Sequence, residues 1–223
     1  MAKQQQAQAS TAEQVVGKSE AFFEKHKKAI IIAVIAVVVV VAGVYSYCTL
    51  VVKPNREKAA TALAKGQEYF SNGQWDIALQ GDKMGYAGFL TLMKKYSGTP
   101  SANLAKLYAG LSYAQKGDAK NAIKYLEDFS SKGDHMVSPA ALGALGNSYA
   151  ANGQTDKAIA TLKKAAKKAD NSTLSPIFLI QAGQLLESQG KAADAKALYE
   201  QVKSKYPTAP EAQDIDKLIL RVS

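Results

Sequence analysis

The alternation of hydrophobic and polar positions divides the chain into stretches with different periods. Ala29 to Val52 (AIIIAVIAVVVVVAGVYSYCTLVV) runs for 24 residues without a charged side chain. At about 1.5 Å of rise per residue it reaches roughly 36 Å as a helix, enough to cross a hydrocarbon core of about 30 Å. Lipid offers the backbone no hydrogen-bond partners, so a spanning segment must be helical. His26, Lys27 and Lys28 bound the run on one side, and Lys53 and Arg56 on the other. Tyr45 and Tyr47 stand near its second end, where amphipathic rings settle at headgroup level. A buried core helix seldom runs so long without a polar face. A cleaved signal peptide has a shorter apolar core and a small-residue cleavage site. A lipoprotein needs a small residue before its cysteine, and Tyr47 precedes Cys48. The pattern predicts an uncleaved anchor, with 28 residues before it and 171 after it.

The flanks differ in pattern. Residues 1–11 are polar and rich in Gln and Ala, a composition expected to be disordered. From Ala12 to Lys28, Val15, Val16, Ser19, Phe22, Phe23 and His26 recur at helical spacing. This predicts either an amphipathic helix lying in the interface or a plain extension of the anchor. Phe22, Phe23, Lys27, Lys28, Tyr45 and Tyr47 are the candidate membrane-docking residues. Basic residues are nearly balanced across the span; the dense segment Glu24–Lys28 favours the N-terminus inside. After Lys53, Pro54 is expected to break the helix and Asn55 to cap the next.

Beyond the anchor a repeat appears. Four segments share one spacing: a small residue, three on an aromatic or Leu, four on a Gly, five on an Ala. They are Gly66–Tyr69–Gly73–Ala78, Gly110–Tyr113–Gly117–Ala122, Gly146–Tyr149–Gly153–Ala158 and Gly183–Leu186–Gly190–Ala195. The closing glycines are 44, 36 and 37 residues apart. The first glycine of each set leaves room for a neighbouring helix, and the aromatic fills the seam. The second glycine ends the helix in a left-handed conformation. Asp76, Asp118, Asp156 and Asp194 fall where the second helix starts, suited to capping it or facing its positive end. Each helix pair leaves an apolar face open, so stacked neighbours must supply the core. An insertion near Gly81–Leu90 accounts for the long first period, and Ala209 to Leu220 reads as a helix covering the exposed end.

A period near 34 residues with this spacing resembles the tetratricopeptide repeat. The early Trp is missing, and the closing Pro appears only as Pro100 and Pro207, while Pro176 opens the fourth repeat. The fold class implied is all-α: a transmembrane helix followed by a helix-turn-helix solenoid. The domains expected are a tail at 1–28, the anchor at 29–52, about four repeats over 53–208 and a capping helix at 209–223. The order of parts, with Val15-Val16, Phe22-Phe23 and Lys27-Lys28 before the anchor, resembles the YfgM-type proteins of the bacterial envelope. That resemblance implies a single-pass protein of the bacterial inner membrane, its N-terminus cytoplasmic and its repeat domain periplasmic. It further implies partners: Sec translocon channel subunits, a membrane-anchored prolyl isomerase, soluble chaperones and unfolded secretory polypeptides.

Composition narrows the chemistry. The chain carries 28 Lys+Arg against 19 Asp+Glu, yet only Arg56 and Arg221 are arginine. Nucleic-acid sites mix in arginine for bidentate and stacking contacts, so this balance argues for solubility or attraction to anionic lipid instead of nucleic acid. One cysteine, Cys48, excludes an internal disulfide framework and a cysteine zinc site. His26 and His135 have no second histidine or cysteine at ligand spacing. Asp134-His135 reads as a loop polar pair, and no phosphate-binding glycine loop occurs. The expectation is a protein without catalytic, metal or cofactor residues.

The family pattern implies a peptide groove along the first helix of each pair. Projected here, it names Leu63, Gln67 and Phe70; Leu107 and Leu111; Asn147 and Ala150; Ile180, Gln184 and Glu187. These positions hold no Lys or Arg, which suits hydrophobic segments better than acidic tails. The competing reading is that some of them pack between repeats. Lys157, Lys163, Lys164, Lys167 and Lys168 gather on one later helix, either as a solvated face or as an attraction for headgroups or an acidic partner. Two functions follow: a tethered interaction module assisting secreted proteins at the Sec translocon, or a scaffold that organises an envelope assembly without holding clients.

Overall fold

In the computed structural model, residues 24–223 are described. The expectations for the tail at 1–11 and for Val15, Val16, Phe22 and Phe23 lie outside them. The elements are α1 (Ala2–Tyr47), a π-helical turn (Cys48–Val52), α2 (Lys53–Ser71), α3 (Trp75–Gln80) and α4 (Phe89–Lys95). Then come α5 (Pro100–Gln115), α6 (Ala119–Glu127), α7 (Val137–Ala151), α8 (Thr155–Ala169), α9 (Ser175–Ser188) and α10 (Ala192–Lys205). A 3-10 turn (Pro210–Ala212) and α11 (Ile215–Arg221) finish the chain. No strand occurs among the described residues. The chain divides into two units, residues 1–54 and 55–223.

Among the described residues one helix, Glu24–Ser71, is long and apolar enough to cross a membrane, and its apolar run lies in the first unit. None of its apolar window is buried by protein, and Val37 to Val41 and Val44 all face outward. Tyr45 and Tyr47 are 70% and 61% exposed. One expectation fails here: Pro54 does not end the helix and Asn55 caps nothing, because helical backbone continues to Ser71. The π-helical turn before it is the physical reason. Lys53 N–H bonds Cys48 O, five residues back, which widens the turn where a proline ring would press on a carbonyl. The Thr49 hydroxyl donates to Tyr45 O at 2.9 Å and Ser46 O at 3.1 Å, occupying carbonyls in the same turn.

The second unit is a stack of helix pairs: α5 with α6, α7 with α8, α9 with α10. Neighbouring pairs meet through α4–α5, α6–α7 and α8–α9. The spacing glycines act as the sequence requires. Gly73, Gly117, Gly153 and Gly190 have φ between +72° and +77°. The residue after each donates back into the helix, as Gln74 N does to Tyr69 O at 2.9 Å and Gln154 N to Tyr149 O at 2.9 Å. Ala78, Ala122, Ala158 and Ala195 are fully buried. A β-carbon on Gly110, Gly146 or Gly183 would collide with Leu126, Leu162 or Tyr199, each sixteen residues on, in the partner helix.

The first repeat departs from this plan. Its second helix is interrupted: α3 ends at Gln80, residues 81–88 form a loop, and α4 resumes at Phe89. The insertion is built inward. Tyr86 donates to Ala78 O at 2.9 Å, and Phe89 is fully buried, stacked on Tyr108 at 5.7 Å. Asp82 ties the loop by accepting from Tyr69 Oη at 2.5 Å and from the N–H of Met84 and Tyr86 at 2.8 Å. Phe89 and Tyr86 therefore take the place over Gly66 that a leucine takes in the next two repeats.

Three apolar clusters follow one another along the stack. The first centres on Leu63, Leu79, Phe89 and Leu92. The second has Leu107, Ile123, Leu126 and Tyr149. The third runs from Leu162 and Phe178 to Tyr199, Val202 and Ile215. The closing element is shorter than expected: a 3-10 turn and the two turns of α11, anchored by buried Ile215. Arg221 of α11 makes a bidentate pair with Glu187 at 2.7 and 3.0 Å.

Candidate functional site

The first helices of the last three pairs carry almost no charge, unlike α2 of the first repeat, which holds Arg56, Glu57, Lys58, Lys65 and Glu68. Across α5, α7 and α9 the only ionisable acid or base groups apart from tyrosines are Lys106 and Glu187. The second helices carry most of the lysines, including Lys120 and Lys124 on α6, and Lys163, Lys164 and Lys167 on α8. The stack thus has a neutral side and a basic side. The cause lies in the sequence: α6 and α8 are strongly amphipathic, with polar residues opposite Ile123 and Leu126 or Ile159 and Leu162.

The structure sorts the ten groove candidates. Gln67 and Leu111 are half-buried, and Asn147 and Gln184 are exposed. These four occupy equivalent positions, one residue after the packing glycine. Leu63 and Leu107 do not line a surface: each is 7% exposed and sits in an apolar cluster. They lie three residues before the glycine, a position that faces the next repeat. Gly143 holds the same place in the third repeat, and a β-carbon there would stand 2.2 Å from the Phe178 ring. Phe70 packs edge-on against Tyr108 at 5.4 Å, and Ala150 and Ile180 lean on the clusters. Glu187 is engaged by Arg221.

Other positions were missed. Ala64, Tyr108, Ala144 and Gln181 lie two residues before the glycine, exposed or half-buried. Ser71, Gln115, Ala151 and Ser188 lie five residues after it, all exposed. Steps of three and four residues put these rows with Gln67, Leu111, Asn147 and Gln184 on one helical stripe. That signal was present in the sequence: the −2, +1 and +5 positions are uncharged in all four repeats. The result is a continuous surface of small, amide, hydroxyl and aromatic groups.

Charged pairs staple the repeats together at the edge of this surface. Asp76, in the first turn of α3, pairs with Lys116 at the end of α5. Asp156, in the first turn of α8, accepts from Gln189 at 2.9 Å and lies 3.8 Å from Lys191. Asp118 alone of the four aspartates caps its helix, accepting from Asn121 N at 3.0 Å. The Tyr149 phenol donates to Glu127; burial first, and that bond second, push its pKa up to about 12.

His135 and Asp134 are used structurally. His135 Nδ1 lies 3.1 Å from the carbonyls of Lys168 and Ala169, so the ring ties its loop to the end of α8. Asp134 accepts from the Ser138 hydroxyl at 2.6 Å and from the N–H of Ser138 and Met136, which hold its carboxyl well below the usual range. Among the described residues no three His, Cys, Asp or Glu side chains converge. Cys48 is exposed in the π-helical turn.

Residues 20–217 match the family model of the tetratricopeptide repeat-like domain. The chain belongs to that family. The tetratricopeptide stack is also similar to a solved structure of a putative kinesin light chain with nearly identical TPR-like repeats from Podosopora anserina. The TM-score is 0.55 and the identity 18%, over 75% of this chain and 85% of that one. A second structure of that protein, which differs from the first at one position, matches at the same score and identity, over 75% and 86%. At this identity the likeness concerns the fold alone. No curated protein matches the chain. Tetratricopeptide-like domains are protein-interaction scaffolds, typically without catalysis.

Proposed function

We propose that this tetratricopeptide protein is a membrane-tethered interaction module of the bacterial inner membrane. Its N-terminus is cytoplasmic and its repeats are periplasmic. It holds extended, uncharged stretches of secreted polypeptides, or the chaperones that carry them, near the exit of the Sec channel. A membrane-anchored prolyl isomerase and the channel subunits are its neighbours in this reading. The observation that carries it is the uncharged stripe running through Tyr108, Leu111, Asn147 and Gln184. Such a surface offers apolar contact and amide hydrogen bonds without selecting for acidic tails. Tethering raises the effective concentration of a weak groove to about millimolar for partners at the same membrane.

The test is photocrosslinking in cells from Leu111 and Asn147 of the full chain, with Lys164 on the basic side as control. Capture of secreted polypeptides, envelope chaperones or channel subunits from the stripe is expected. Their absence from both positions would refute the module. A second reading, a scaffold without clients, draws on the basic side, where Lys163, Lys164 and Lys167 are exposed and no ion pair with them is seen among the described residues. Crosslinks from Lys164 alone would favour it.

A further inference from the structure

A cleft of about 740 Å³ lies where the first two repeats meet. Cations from five different segments line it: Arg56 on α2, Lys94 on α4, Lys106 on α5, Lys124 on α6 and Lys132 in the following loop. Its single carboxylate, Asp128, lies 3.3 Å from Lys106 and leaves the other four cations unanswered. The N-terminus of α5, capped by Thr99, opens into the same cleft and adds positive potential. Leu90 and Met93 supply an apolar wall. The α8 lysines line a second cleft of about 640 Å³, where Lys163, Lys164, Lys167 and Lys205 face Asp170, more than a hundred residues along the chain from Arg56.

Chain connectivity says what the cleft meets. Arg56 is four residues past Val52, the last residue of the uncharged run. Four residues span about 6 Å as helix and at most about 14 Å fully extended. The headgroup layer on each side of a bilayer is itself roughly 6 Å thick. If the anchor spans, Arg56 and its cleft therefore stand at or beside the phosphates. We infer that the cleft binds the phosphate headgroup of an acidic phospholipid and so fixes the first repeat against the membrane surface. This inference rests on the anchor of the proposed function but not on the peptide stripe.

The test uses the full chain in vesicles of phosphatidylcholine alone or with phosphatidylglycerol, each doped with the matching headgroup-photoreactive lipid. Expected is labelling within residues 90–132 by the phosphatidylglycerol probe and not by the phosphatidylcholine probe. Each cation near an acidic surface contributes about fivefold, so R56Q/K94Q/K132Q should cut labelling on the order of a hundredfold at low salt. The α8 control K163Q/K164Q/K167Q, with the same charge change, should keep it. Arg56, Lys94 and Lys132 are all exposed, so glutamine there leaves the core untouched. Equal labelling by both lipids, or loss in the α8 variant only, overturns the inference. So does undiminished labelling of R56Q/K94Q/K132Q, since the cations of the cleft then play no part. Failure to sediment with either vesicle sinks the anchor itself, whereas sedimentation without labelling sinks only the headgroup site.

Discussion

Replacing Gly66 by alanine should loosen the first repeat, and most of that loss should disappear when Phe89 is also replaced. A β-carbon at Gly66 would stand 2.2 Å from Tyr86 Oη and 2.3 Å from the Phe89 ring. Neither neighbour has room to retreat. Phe89 is fully buried between Tyr108, at 5.7 Å, and Tyr86, at 6.3 Å, and Tyr86 is held by its bond to Ala78 O. Forcing a methyl group into such packing costs about 1–3 kcal/mol. Losing the Tyr86 hydrogen bond adds about 1 kcal/mol. Better helix propensity returns about 0.5–1 kcal/mol, leaving a net loss of about 2 kcal/mol. Phe89→Ala alone should cost about 3–5 kcal/mol. In the double variant the space left by the Phe89 ring lets the neighbouring Tyr86 side chain draw back from the methyl, and the gain in helix propensity offsets the lost Tyr86 hydrogen bond, so G66A/F89A should be about as stable as F89A. The cycle then gives a coupling of about −2 kcal/mol. The assay is urea unfolding of the full chain in detergent micelles, followed by fluorescence of Trp75, the single tryptophan, which is half-buried in the same repeat. Losses that add to within about 0.5 kcal/mol would refute the claim that the insertion closes against Gly66.

Acid should act on the same repeat. Hydrogen bonds, first from Tyr69 and then from Tyr86 N–H, hold the Asp82 pKa at about 2. The folded value is below the unfolded one, so this stabilisation is complete above about pH 4 and is lost as pH falls towards about 2. Trp75 fluorescence should show that loss, and D82N, already loosened at neutral pH, should respond flatly over the window; an unchanged wild-type signal there would disprove it. At the other end, Arg221→Gln removes a bidentate partner of Glu187, which is 18% exposed while Arg221 is 56% exposed. Solvent screens this exposed pair, so amides of α11 should exchange only a few-fold faster, and unchanged exchange would mean that Ile215 alone holds the cap. Photocrosslinking from Leu111 should be insensitive to salt, because the stripe is uncharged; a steep fall with salt would show that charge drives the capture.

Much of the array is legible in the sequence because its constraints are local. A left-handed residue at Gly73, Gly117, Gly153 or Gly190 is a property of the backbone at that residue. The glycines facing Leu126, Leu162 and Tyr199 are legible for the same reason, since helix period and a short turn fix which side chain arrives opposite them. The groove was legible only in part. Gln67, Leu111, Asn147 and Gln184, one residue after the glycine, lie on the proposed stripe, whereas Leu63 and Leu107, a turn earlier, are buried in the apolar clusters. Burial at that position depends on side chains from two repeats at once, as Phe178 filling the space over Gly143 shows.

The uncharged run of 24 residues, the repeat period and the helix ends at Gly73, Gly117, Gly153 and Gly190 were determined by the sequence alone, because hydropathy and backbone conformation act within one or two turns. Tertiary structure decided what joins across longer distances. Helical backbone passes Pro54 because a π-helical turn accommodates the ring, and an insertion that looks like a surface loop supplies the core residues over Gly66. The basic cleft exists only because packing brings Arg56, Lys94 and Lys132, separated by up to 76 residues, to one place. No periodicity in the chain encodes such a meeting; it follows from how neighbouring pairs bury their apolar faces.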